Sequence, residues 1–366
     1  MAKSIICWCG CDDFKPFSPE YLECKACRTL VSLTPLSEEE LVVNDDDVDF
    51  YGKQYWLNHQ NQDLGFPDIF ARTRNDLTER NLHWLKILMK YRLPSSDVLE
   101  LGCSHGSFVA LMQQAGYCAA GVEMSPWVVS FGKETFDVPI YLGPVENLDL
   151  AEGSLDVIAL MDVLEHLPDP EATLKHCSRL LKPDGFFLIQ TPDFKEDLSY
   201  QTLRDNDSSF LEQLKADEHL FLFSQRSVSQ LLNQIGFEHI HFEPAIFSGY
   251  DMCFVAGRES FTVHSVDERE KSLLSNLSGR MVLALLDIRE RELALTEQLT
   301  ACDADRIDKL SQISNLSDWL KQTKASLQET QALLEAAQYK MSNPLTKASI
   351  KISSLCDRVL RKLLKE

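Results

Sequence analysis

The 366-residue chain has no run of about 18 consecutive apolar residues, so no segment is expected to span a membrane. Its first residues, MAKSIICWCGC, lack the apolar core of a secretory signal, and the expected location is cytoplasmic. Bases are scarce: 36 Lys plus Arg stand against 56 Asp plus Glu, a net charge of −20. That balance repels phosphate backbones and argues against a nucleic-acid partner. Internal repeats are missing as well. What remains is ordinary globular composition, with 44% apolar and 25% charged residues, in a chain long enough for two or three domains. Eleven cysteines without an export signal read as reduced thiols or metal ligands rather than disulfides.

Residues 1–35 form a Cys-rich head, followed by LSEEELVVNDDDVDF, whose seven acids and no base read as a solvated connector. Connector and a helical cap together occupy 36–94. In the cap, Leu77, Leu82, Leu85, Leu88 and Met89 fall near a 3.6-residue period, and Pro94 closes the helix. Over 95–260, short apolar runs alternate with amphipathic segments. DVLEL, CAAGVE, VPIYL, DVIALM and GFFLIQ read as strands joined by crossover helices, while FEHIHFE and DMCFVAG read as an edge hairpin. The expected fold is α/β, a Rossmann-like sheet of seven mostly parallel strands.

Residues 261–343 lose the strand signal. Ile313, Leu320, Leu327 and Leu334 recur every seven residues, with Leu316, Thr323, Thr330 and Ala337 in the companion position, which predicts an α-helical coiled coil. A homo-oligomer or a partner helix is therefore expected. The tail, 344–366, carries six bases and two acids among Ile, Leu and Val. It offers weak peripheral contact with an anionic membrane at the inner face, or simply complements the helix dipole.

VLELGCSHGSF sets a tight turn between a strand and a helix. Gly102 and Gly106 leave room for a ligand at the helix N-terminus, and Ser104 stands where a spacing glycine is usual. Glu123 ends the next strand, 17 residues after Gly106, where an acid can bind ribose hydroxyls. Glu100 lies two residues before Gly102. A carboxylate there suits a cationic amino-acid group and opposes a pyrophosphate, so a dinucleotide is disfavoured.

These segments, with GVEMS, LDVIALMDVLEHLPDPEATLKHCSRLLKPDGFFLIQTP and DEHLFLFSQRSVSQLLNQIGF, resemble a class I S-adenosylmethionine-dependent methyltransferase over roughly residues 95–257. The resemblance implies S-adenosylmethionine as cofactor. Glu100, Gly102 and Gly106 would contact its methionine moiety with Ser104 among them, Glu123 the ribose and Met124 the adenine, and Asp162 would lie beside the methyl-transfer site. One departure stands out. Where the family often has an acid for the adenine amino group, this chain reads LGPVENL, leaving Glu146 or the backbone of Val145 for that contact.

Methyl transfer to a hydroxyl needs alignment and a base. His166 and His219 are the candidates, each near the carboxyl end of a strand; either can instead simply bond a backbone carbonyl. In the head, Cys24-x-x-Cys27 is a zinc knuckle, and its complement comes from Cys7, Cys9 and Cys11, with Cys7 and Cys9 preferred and Cys11 as substitute. Four thiolates close the coordination sphere, so the Zn2+ is expected to be structural, in a zinc-ribbon-like module. The head resembles the zinc-binding module ahead of many bacterial sugar-modifying methyltransferases, which implies a glycan acceptor; a small-molecule acceptor of quinone type and a scaffold without turnover are the alternatives.

Overall fold

The computed structural model describes residues 5–36, 38–58 and 67–364. Residues 1–4 of the predicted head, 37 and 59–66 of the connector and cap, and 365–366 of the tail lie outside them. The chain divides into two units, Met1–Glu290 and Arg291–Glu366.

All seven expected strands form, as β4 (Asp97–Leu101), β5 (Cys118–Glu123), β6 (Ile140–Leu142), β7 (Leu155–Met161), β8 (Leu181–Pro192), β10 (His239–Glu243) and β11 (Asp251–Gly257). They make one sheet in the order β10-β11-β8-β7-β4-β5-β6. The pairs among β4 to β8 are parallel, and the β10–β11 hairpin is antiparallel at the edge. Parallel strands covered by helices on both faces have no solvent side, and Val157, Ile158, Ala159 and Leu160 of β7 are accordingly all fully buried. Strand order reverses between β4 and β7, which opens a crevice at their carboxyl ends.

The helices α2 (Ile69–Thr78) and α3 (Arg80–Tyr91) replace the single helix read from the leucine period. Glu79 interrupts it with φ −123° and ψ −90°, outside helical space. Leu82, Leu85 and Leu88 of α3 are then buried against the sheet, while Leu77 belongs to α2. After β4 comes α4 (Ser107–Ala115), and after β5 comes α5 (Pro126–Phe136), started by Pro126 and capped by Ser125, whose hydroxyl accepts from the Val128 N–H at 3.3 Å.

The head contributes β1 (Phe14–Pro16), β2 (Tyr21–Cys24) and β3 (Leu30–Ser32), an antiparallel sheet completed by β9 (Phe221–Leu222). Leu30 pairs with Leu222 and Val31 with Phe221, so the head is joined to the loop that follows β8. Nor is the acidic stretch a solvated connector throughout. Val43 is buried, and Asp46 accepts a hydrogen bond from Ser125 Oγ at 3.1 Å, which draws the segment over the end of β5.

In the first unit α9 (Val266–Leu273) follows the sheet, and the 66-residue helix α10 (Leu277–Ser342) runs on into the second unit. There Ile313, Leu316, Leu320, Leu327 and Leu334 are exposed. Asn343 caps α11 (Pro344–Leu363), making the basic tail helical. Among the described residues no helix is long and apolar enough to cross a membrane.

Candidate active site

A cavity of about 640 Å³ opens at the carboxyl ends of β4, β5 and β7, within the usual range for small-molecule sites. Glu100, Gly102, Ser104, Glu123, Met124, Val145, Glu146, Asp162, His166 and His219 all line it. Gly106 does not. It starts α4 with φ +79°, and a Cβ there would come within 2.9 Å of Ile140 Cδ1 and 3.0 Å of Val138 Cγ2. Backbone conformation and packing against the β6 segment, rather than the approach of a ligand, require this glycine. Gly102 likewise leaves room for Val163, whose Cγ2 a Cβ would meet at 2.6 Å. Ser104 takes a left-handed φ of +51°, the conformation that explains why glycine is usual at its position.

Two carboxylates dominate the β4–β5 end. Glu123 is buried, and three backbone N–H groups fix it: Ser104 N donates to Oε2 at 3.0 Å, and Met124 N and Ser125 N donate to Oε1 at 2.8 and 3.1 Å. Burial raises its pKa while these donors pull it back, and Oε2 keeps accepting capacity for a ribose hydroxyl. Glu100 differs. Its Oε2 is buried with no hydrogen-bond partner, and burial followed by the charge of Glu123 holds its carboxyl well above the usual range. An orphaned carboxylate oxygen beside a cavity is what an ammonium group would satisfy.

The Val145–Glu146 turn is plainer. Val145 is buried, and Glu146 is tied through Oε1 to the Thr173 hydroxyl at 2.7 Å.

At the opposite end, the short turn Leu164–His166 and the segment before β9 bring the histidines together, with ring centroids 4.9 Å apart and planes at 78°. His166 Nδ1 lies 2.9 Å from the Glu218 carbonyl and 3.2 Å from the Tyr51 hydroxyl, while His219 Nδ1 lies 2.7 Å from the Gln213 carbonyl. A carbonyl can only accept, so both protons sit on Nδ1 and both Nε2 atoms carry lone pairs. Burial lowers the pKa of each ring, that of His219 further with help from His166. Asp162, at φ +59°, accepts from Gln190 Nε2 at 3.0 Å and lies 3.7 Å from Arg80 Nη1.

Sequence reasoning missed several wall residues. Tyr51, Tyr55 and Trp56 come from the far end of the acidic stretch, and Asp251, Phe247 and Tyr250 from beside β11. Only Glu165 had a local signal, its place directly before His166.

In the head, Cys7, Cys9, Cys24 and Cys27 offer sulfurs all within 4.8 Å of one another. Cys7 to Cys27 is 3.4 Å and Cys9 to Cys24 is 3.6 Å, close to the edges of about 3.8 Å in a tetrahedron with 2.3 Å zinc–sulfur bonds. Cys11 stands apart from this group and bonds the Asp13 backbone instead.

A family model described as a methyltransferase domain matches residues 71–241. Over this segment, just under half of its length, the chain is similar to methyltransferase domains. The ubiquinone biosynthesis O-methyltransferase of Xanthomonas campestris pv. campestris is 30% identical over 141 residues, 34% of this chain and 59% of that protein. A probable S-adenosylmethionine-dependent methyltransferase of Mycolicibacterium smegmatis is 31% identical over 134 residues, 35% of this chain and 52% of that one. The chain thus spans about half the length of the curated relatives it matches. Among solved structures, magnesium protoporphyrin IX methyltransferase of Synechocystis PCC 6803 with bound SAH aligns with 53% of this chain and 90% of its own, at 16% identity and a TM-score of 0.40.

Proposed function

We propose that the chain methylates a hydroxyl of an acceptor held between the β4–β5 carboxylates and the histidine pair. The unpartnered Oε2 of Glu100 carries this reading, because it calls for a cation where the methionine end of S-adenosylmethionine would lie. When bound, the cofactor supplies a methyl group on a sulfonium, already a strong electrophile. Glu100 would hold the amino group, and Glu123 the ribose beside Met124. Either imidazole, neutral and open at Nε2, can receive the acceptor's proton. Asp162, also on the cavity wall, would lie beside the transferred methyl group.

The acceptor we favour is a sugar of a cell-surface glycan or of its lipid- or nucleotide-linked precursor. Aromatic faces of Tyr51, Trp84, Phe247 and Tyr250 line the cavity and suit the C–H face of a sugar ring. They suit a quinone-like ring too, and the ubiquinone-pathway relatives favour that second reading. The four-thiol cluster would hold a structural Zn2+. Exposed heptad leucines of α10 would pair with a second copy or a partner helix, and α11 would give at most weak peripheral membrane contact.

Titration with S-adenosylmethionine, followed by methylation assays on cell glycans and on catechol-type quinone precursors, tests the reading. Binding with transfer to a glycan supports it, transfer to the catechol alone selects the second acceptor, and binding without transfer to any acceptor leaves a scaffold. Failure to bind overturns the proposal.

A further inference from the structure

The acceptor end holds a third group whose position neither the cofactor nor a simple base explains. Glu165 is 1% exposed, and its carboxylate lines the cavity directly beside the two histidines. One ligand atom each from Glu165, His166 and His219 lie within 4.8 Å of one another. Both imidazoles are oriented as metal-binding histidines usually are, with Nδ1–H given to a backbone carbonyl and Nε2 left bare. Glu165 is anchored in the same way, its Oε2 accepting from the Thr191 hydroxyl at 2.9 Å.

We infer that Glu165, His166 and His219 form a binding site for one divalent transition-metal cation, open towards the cavity. Two imidazoles and one carboxylate are a donor set for Mn2+, Fe2+ or Zn2+ with coordination positions to spare. Bonds of about 2.0–2.2 Å place donors about 3 to 4.4 Å apart, so separations of up to 4.8 Å need to close by no more than about 1.8 Å. Asp162 and Glu218 add negative charge at this end, against Lys215 and Arg80.

The open positions face the cavity, where an acceptor hydroxyl oxygen can complete the sphere. Its O–H bond then breaks more readily, the proton leaving to water, and the oxygen keeps the electron pair it will offer to the methyl carbon. Nε2 serves here as ligand in place of base. This use of the metal rests on the methyltransferase reading above; binding of the metal does not.

The test uses Mn2+ as probe with the full-length chain, since thiolate sites such as the head take it poorly. Free Mn2+ is followed by electron paramagnetic resonance during titration up to 1 mM, with and without S-adenosylmethionine. One Mn2+ per chain is expected, weakened at least tenfold in Glu165→Gln and in His219→Asn, with S-adenosylmethionine affinity within about twofold of the parent. Absence of binding below 1 mM, or equal binding in both variants, would overturn the site. Thermal melts confirm that each variant is folded, and the double variant H166N/H219N replaces either one that is not. Loss of cofactor binding in the parent chain would instead strike at the methyltransferase reading, leaving the Mn2+ result to stand by itself.

Discussion

The Tyr21 hydroxyl, on β2 of the cysteine head, donates to the backbone carbonyl of His219 at 2.9 Å. Ser32 reinforces the link, its N–H donating to Leu220 O at 3.0 Å and its hydroxyl to Ala216 O, and Leu220 N reaches on to Glu165 O at 2.9 Å. The head therefore braces the histidine wall of the cavity and leaves the Glu100–Glu123 end to the sheet. Tyr21→Phe should cost about 1–3 kcal/mol, because the tyrosine is fully buried and the carbonyl loses its donor. Cys24→Ser, or chelation of the Zn2+ proposed for the head, should lower acceptor turnover while leaving S-adenosylmethionine affinity nearly unchanged. Calorimetry with the cofactor alongside acceptor kinetics checks both; an equal loss at the two ends would show that the head supports the whole domain.

Glu100 should bind the cofactor with release of a proton. Its carboxyl is held well above the usual range by burial and then by Glu123, and a cationic amino group would draw it back down. Affinity should then rise with pH over the range in which the free carboxyl titrates. Titrations in buffers of different ionisation enthalpy should show the release in the parent and its absence in Glu100→Gln, whose affinity should fall about tenfold or more, as expected for a charge-assisted bond of about 1.5–3 kcal/mol.

Replacing His166 or His219 by Ala should leave cofactor binding intact and reduce kcat by about 10²-fold or more, the scale of a lost base. Because burial holds both rings below the ordinary histidine range, the acid limb of kcat/KM should fall below about pH 6.5. Unchanged turnover in both variants would remove the pair from the chemistry.

Gly106→Ala should act through stability. The new methyl meets Ile140 and Val138 at a positive φ, for a cost of about 1–3 kcal/mol in denaturant melts. Since Gly106 does not line the cavity, the folded fraction should bind S-adenosylmethionine as the parent does.

Asp251 sets a pH dependence of the fold. Burial, then the charges of Asp162 and Glu165, pushes its carboxyl up to about 9, against about 3.9 when unfolded. The folded chain thus keeps a proton that the unfolded chain releases above about pH 4, and stability falls as pH rises from there towards 9. Melting temperatures between pH 6 and 9 should decline less steeply in Asp251→Asn than in the parent.

Much of this was legible in the residues themselves. CAAGVE, DVIALM and GFFLIQ announce buried parallel strands because no face of them is polar, and Glu100 and Glu123 stand out at the ends of two such strands. What stayed hidden was non-local. The pairing of Val31 with Phe221 leaves no trace in either segment, and nothing in NDDDVDF foretells that Asp46 will meet Ser125. Gly106 was legible as a necessary glycine, but its reason lay in Val138 and Ile140, side chains just before and at the start of a strand still to come.

The link between Tyr21 and His219 also has a consequence for biosynthesis. The partners are 198 residues apart in sequence, so during synthesis the head leaves the ribosome long before the strand that completes its sheet exists. Until β9 arrives, β3 has an open edge, and the head has only its own contacts to hold it: the thiol cluster, the β1–β2–β3 ladders and the bond from Trp8 Nε1 to Thr29 Oγ1 at 2.8 Å. If the thiols hold Zn2+ as proposed, loading is best placed before β9 is synthesised, and metal-starved cells should accumulate chains with an unpaired β3 edge, prone to aggregate.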